Sequence, residues 1–136
     1  MRWVEYFRNL AHQVKLKSKD ERTQIGAIIV GKDKEIVSTG YNSFPRGLKD
    51  NKKSRQERPE KYYWFEHGER NAIYNAARIG VSTKGCTMYL SCGIPCVDCA
   101  RGIINSGITR IFCERGVTTK GDHWEENYNR SWEMLE

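Results

Sequence analysis

His67 and Glu69 are separated by one residue and Cys96 and Cys99 by two, with Pro95 directly before the first cysteine. Imidazole and thiolates are zinc ligands, and three protein ligands leave a fourth tetrahedral position open to water, as a catalytic zinc requires. Zinc brings the pKa of a bound water down to about 7, so a nucleophile exists at neutral pH. A proton carrier is still needed beside it. Glu69 lies two residues past His67, projects differently from the ligand, and can move protons to and from the reacting groups. The H-x-E…P-C-x-x-C pattern therefore predicts hydrolytic chemistry at one zinc per subunit, with His67, Cys96 and Cys99 as ligands and Glu69 as the catalytic residue.

Such a site forms only if two helix starts meet. Ala72, Ile73, Ala76 and Ala77 recur on one face after His67, and Gly80 is placed to end that helix in a left-handed conformation. Cys99, Ile103 and Ile104 continue an apolar face from Pro95 until Gly107 stops it, which puts both cysteines in a first helical turn. Helix N-termini carry partial positive charge, which favours the thiolates that bind zinc. Around this pair, the spacing of Trp3, Phe7, Leu10 and Val14 predicts a helix over residues 3–17. Ile25 to Val30 and Glu35 to Thr39, joined by the turn Gly31-Lys32-Asp33-Lys34, predict a hairpin. Cys86 to Cys92 and Thr109 to Cys113 read as further strands. Asp122 with Glu125 resembles a helix cap, and Trp124, Tyr128, Trp132 and Leu135 outline the inner face of a last helix. The order α, β, β, α, β, α, β, α implies a sheet covered by helices.

Residues 1–136 suit a single domain with one core. No apolar run is long enough to span a bilayer, and the start MRWVEYFRNL lacks a signal-peptide pattern, so the expected setting is cytoplasmic, with no membrane partner. Five cysteines, two of them in C-x-x-C, then point to metal chemistry before disulfides. A formal charge of +6 favours anionic partners. Much of it sits between Lys49 and Lys61, which reads as a solvated loop or, more sharply, as a contact for phosphate or nucleic acid.

Rival readings of the same residues stay open. Cys86, Cys92 and Cys113 offer a closed four-cysteine zinc site with Cys96 and Cys99, although that leaves His67 and Glu69 without a role. A thioredoxin-like use of the C-x-x-C pair also ignores His67. Cys86 and Cys113 suit an apolar core, whereas Cys92 ends a strand close to a ligand and can border the pocket.

The signature is that of the zinc deaminases, and the chain resembles the deoxycytidylate (dCMP) deaminase family within the cytidine deaminase superfamily over nearly its whole length. The resemblance is carried by Lys17-Ser18-Lys19-Asp20, Thr23 to Val30, Gly40-Tyr41-Asn42-Ser43-Phe44-Pro45-Arg46-Gly47, Glu66 to Ile73 and Pro95 to Ala100. It implies a three-layer α/β/α cytidine-deaminase-like sandwich with a central mixed sheet. It implies hydrolysis of dCMP to dUMP and ammonia by a homo-oligomer, often a hexamer, with dCTP and Mg2+ as activator and dTTP as inhibitor. It implies that Asn42 hydrogen-bonds the sugar and that the Gly68 amide meets the base carbonyl. A 5′-phosphate needs cations, for which Arg22 and Arg115, at strand ends, are candidates.

Two departures bear on the base. The family usually has alanine at Gly68 and an aromatic at Ile94, before Pro95, so a smaller pocket wall is expected at both positions. A 5-substituted deoxycytidylate or a purine deoxynucleotide is the alternative substrate. A tRNA-editing adenosine-type deaminase shares the zinc motif, but Asp50, Glu57 and Glu60 interrupt the basic segment, which argues against nucleic acid. A non-enzymatic zinc module would have no use for Glu69.

Overall fold

The computed structural model describes residues 1–114 and 124–136. Helix α1 (Trp3–Val14) runs into a 3-10 turn at Lys15–Lys17 and buries Phe7 and Ala11. The β-branched run after it forms β1 (Gly26–Val30), buried at every residue because it is central and covered on both faces. Strand β2 (Ile36–Tyr41) pairs with β1 antiparallel, Gly26 opposite Tyr41, with a register shift at Ile29/Val30. A short α2 (Lys61–Trp64) precedes α3 (Gly68–Ile79), which ends at Gly80 in the expected left-handed conformation (φ 76°). Then come β3 (Thr87–Leu90), α4 (Val97–Asn105), β4 (Arg110–Phe112) and α5 (Trp124–Leu135). The sheet order is β2-β1-β3-β4, with β3 antiparallel to β1 and parallel to β4.

Alternation along β1 divides the core in two. Ile28 and Val30 pack with Phe7, Ala11 and Tyr89 under α1, while Ala27 and Ile29 pack with Ala72, Met88, Leu90 and Ile103 under α3 and α4. This is the α/β/α sandwich with a mixed sheet that the sequence predicts. Among the described residues, no helix is long and apolar enough to cross a membrane.

Helix α3 lies so close on β2 that a Cβ at Gly40 would stand 2.2 Å from the Ala72 nitrogen, so only glycine fits there. Since β2 and β3 both run antiparallel to β1, they run parallel to each other and deliver the chain to the same end of the sheet. Asn42 follows one and Cys92 to Cys96 follow the other, so the candidate residues collect at that end, where open α/β sheets place their ligands.

Two expectations are corrected. Residues 49–61 are not simply a solvated loop: Lys53–Gln56 is a 3-10 helix, and Lys61 is buried. Its ammonium finds a buried carboxylate, Asp20, at 2.7 Å, a partner far away in the chain. On α5, Trp132 is exposed and Ser131 fully buried, so the inner face is turned from the expected one. The cause is polar. Ser131 Oγ donates to the Pro95 carbonyl at 2.5 Å and Asn127 Oδ1 accepts from the Val97 amide at 3.0 Å, which orients the helix by its hydrogen bonds to the start of α4. Tyr128 and Leu135 are half-buried, while Asp122, Arg115 and the Trp124 side chain lie outside what is described.

Candidate active site

His67 is the N-cap of α3 and Cys96 the N-cap of α4, with Cys99 three residues on in the first turn. Cys96 therefore sits one position earlier than the first helical turn, with an extended backbone. The Nδ1 of His67 lies 3.4 Å from Cys96 Sγ and 3.3 Å from Cys99 Sγ. All three ligand atoms fall within 4.8 Å of one another, and among the described residues no other group of metal-ligating side chains converges in this way. Tetrahedral zinc bonds of usual length to nitrogen and sulfur would place such atoms about 3.5 Å apart. The set thus has the chemistry and the spacing to hold zinc without rearrangement.

Electrostatics agree with a cation site. A hydrogen bond from the Cys99 thiol, helped by His67, holds the Cys96 thiol down to about 4, while the same hydrogen bond and burial push Cys99 up. The hydrogen bond to Cys96 in turn raises His67, against burial. The Cys96 thiolate is the negative group that a bound cation would meet first.

Glu69 is almost fully buried and its Oε1 has no hydrogen-bond partner among the described residues. Burial pushes its carboxyl above the ordinary carboxylate range, with the His67 charge opposing. An orphaned buried oxygen is costly, and here it stands beside the ligand cluster. A water at the open coordination position would satisfy it.

The surroundings supply support that the sequence does not announce. Glu66 Oε1 accepts from the His67 amide at 2.9 Å and from Arg70 at 2.7 Å, fixing the turn that carries the ligand. Against burial, the neighbouring charges of Cys99, Glu66, Cys96 and Asp98 keep the Arg70 guanidinium strongly protonated. The Val97 amide, free at a helix start, is capped by Asn127 rather than by a residue of its own turn. Each of these partners could be found only once the fold was known, apart from the i, i+4 pair Glu66–Arg70.

A cleft of about 180 Å³ opens in front of His67, Glu69 and Cys96, and Asn42, Ile94 and Lys61 also line it. Asn42 is buried and heavily engaged: Oδ1 accepts from the Ile25 amide at 2.8 Å, and Nδ2 donates to the Thr23 carbonyl at 2.8 Å and to Asp20 at 3.3 Å. It braces the Thr23–Ile25 turn and leaves only acceptor capacity on Oδ1 for a ligand. Pro95 is fully buried away from this cleft, where its carbonyl anchors α5.

Several candidates fall elsewhere. The Arg22 side chain is exposed and does not line the cleft; its amide donates to Asp20 Oδ1 at 2.9 Å, so the residue serves the turn through its backbone. At Gly68 the expected larger pocket floor is absent, because a Cβ there would point at the Ile25 carbonyl, 2.9 Å away, and at the Tyr41–Asn42 backbone. The position concerns helix-to-strand packing. Ile94, by contrast, does face the cleft. Cys86 is buried in the core cluster and Cys92 and Cys113 pack against it, which removes them from the ligand set. Phe44 is buried on Phe65, and Trp64 carries the Arg55 guanidinium at 3.8 Å; neither lines the cleft.

A model of the cytidine and deoxycytidylate deaminase zinc-binding region matches residues 1–115. The chain is 35% identical over 134 residues to the uncharacterized deaminase in the luxG 3′ region of Aliivibrio fischeri, covering 98% of this chain and 87% of that one. It is 36% identical over 117 residues to the deoxycytidylate deaminase of Homo sapiens, covering 82% of this chain and 64% of the human one, so it spans less than two-thirds of that enzyme's length. The apo dCMP deaminase of cyanophage S-TIM5 superimposes with a TM-score of 0.69 at 26% identity, covering 82% of this chain and 81% of that chain.

Proposed function

The chain belongs to the cytidine and deoxycytidylate deaminase zinc-binding family, and from that premise we propose that it hydrolyses dCMP to dUMP and ammonia. The observation that carries the reading is the orphaned, buried Glu69 Oε1 beside the His67, Cys96 and Cys99 cluster. A bound zinc supplies Lewis acidity that makes water nucleophilic at neutral pH. His67, Cys96 and Cys99 would hold it, one ion per subunit, and orient it toward the cleft. Glu69 Oε1 takes one proton from the water as its oxygen bonds to the amine-bearing ring carbon and delivers that proton to the ring nitrogen. It then takes the water's second proton from the same oxygen and passes it to the amine, so that the C–N bond breaks as the carbonyl forms and water and dCMP become dUMP and ammonia. The raised affinity of the buried carboxyl for protons suits a group that must accept and return them.

In the same reading the remaining acceptor capacity of Asn42 Oδ1 takes a sugar hydroxyl and the Gly68 amide takes the base carbonyl. Ile94 favours a second reading, since a wall residue smaller than an aromatic leaves room beside the base for a 5-substituent. The resemblance extends the proposal to a cytoplasmic homo-oligomer controlled by dCTP with Mg2+ and by dTTP; sedimentation with and without those nucleotides tests it. The reaction itself is tested by ammonia release from dCMP, 5-methyl-dCMP, dAMP and dGMP. Turnover of dCMP above the purine nucleotides is expected, and purine preference or no ammonia from any of them contradicts the reading.

A further inference from the structure

Charged side chains in the cleft are unequally committed. Beyond the zinc-site residues, its lining holds Asp20, Arg58 and Lys61. Lys61 Nζ lies 2.7 Å from Asp20 Oδ2 with both side chains under a tenth exposed, and it also faces the Phe65 ring at 5.8 Å. Its charge is neutralised where it stands. Arg58 forms no ion pair among the described residues; its guanidinium lies 5.8 Å over the Tyr62 ring, on the exposed side of the wall. A ring face steadies a guanidinium without consuming its N–H groups. Other described arginines near the site do not compete: Arg70 is paired with Glu66, and Arg22 does not line the cleft.

We propose that Arg58 takes the 5′-phosphate of the nucleotide and so sets the preference for a monophosphate over a nucleoside, an assignment that rests on the reaction proposed above. A phosphate entering this cleft needs a cation whose donors are not already taken, and a guanidinium can meet two phosphate oxygens at once. The wall that presents Arg58 is held three residues further on by Lys61 and Asp20, and Asp20 also bonds Asn42. One carboxylate therefore ties the phosphate contact to the sugar contact.

The test is kcat/KM for dCMP and for deoxycytidine in wild type, Arg58→Gln, Arg58→Lys and Arg115→Gln, with thermal melting of each variant. A charge-assisted contact corresponds to about a ten- to hundredfold change in affinity. We expect Arg58→Gln to lower the dCMP-to-deoxycytidine ratio by about that factor, mostly through KM, with Arg58→Lys recovering part of it and melting unchanged. Equal losses on both substrates, or a phosphate-selective loss in Arg115→Gln with none in Arg58→Gln, overturn the assignment while leaving the reaction intact. A wild type that deaminates neither compound overturns the reaction reading itself, and the assignment with it.

Discussion

The inner and outer walls of the cleft are built differently. At the inner wall, His67, Glu69, Cys96 and Cys99 sit at the starts of two helices, and their geometry follows from local turns that the sequence spells out. At the outer wall, residues 53–65 are held by a buried ion pair, Asp20–Lys61, between segments far apart in the chain. Local geometry can be written in a short motif and read back from it. A contact that closes only in the folded state leaves no such mark, and Lys61 in the sequence resembles any lysine of a basic run.

If the inner wall does the chemistry and the outer wall only holds and selects, variants on the two sides should separate cleanly. The largest effect belongs to Glu69→Gln, which should lower turnover by about 10²- to 10⁴-fold without loss of metal, because the carboxyl moves protons and does not coordinate. Zinc content and rate measured on one preparation check this, and zinc lost with activity would make Glu69 structural.

Next in size is Lys61→Met. It leaves the Asp20 carboxylate buried without its cation and should destabilise the fold by about 3 to 5 kcal/mol in denaturant titrations, with Asp20→Asn added to Lys61→Met recovering part of the loss. An unchanged midpoint in the single variant would mean that the outer wall is held by something else.

The same pair predicts a pH dependence. Burial opposes the Asp20 charge, but the Lys61 ammonium and the amides of Arg22 and Thr23 hold its carboxyl below the ordinary 3.8. A depressed folded pKa contributes stability that is present above 3.8 and lost as pH falls through the lower folded value. Unfolding measured from pH 6 downward should therefore show wild type losing more stability below about pH 4 than Asp20→Asn does. Parallel curves would deny the pair its role.

The smallest effect is expected at Gly68→Ala. The new methyl meets the Ile25 carbonyl at 2.9 Å, so the start of α3 must shift slightly, at a cost of about 1 kcal/mol. Ratios of turnover among dCMP, 5-methyl-dCMP and the purine nucleotides should stay the same, since the methyl meets backbone atoms of Ile25, Tyr41 and Asn42 and Gly68 does not line the cleft. A changed ratio would return Gly68 to the pocket wall.

What was legible in the sequence follows the same division. Period and punctuation locate α3 and α4, and Gly80 ends its helix as glycine's freedom at positive φ allows. The zinc cluster is legible because its members sit at two helix starts, His67 at α3 and both cysteines at α4. Asn127 and Ser131 were not, because they act on the Pro95–Val97 turn from another helix. The expected face of α5 failed for the same reason: apolar spacing pointed to Trp132, while the hydrogen bonds to that turn bury Ser131. Asn42 was legible as a polar group near the site, but its bracing of the Thr23–Ile25 turn was not.

Zinc-dependent deamination at the inner wall is tested most directly by ammonia release from dCMP as metal-free protein is titrated with zinc. Turnover should rise in proportion to bound zinc and level off at a single equivalent per chain, the stoichiometry of a three-ligand catalytic site. Zinc that binds without producing ammonia from dCMP, or turnover that is already complete before zinc is added, would contradict it.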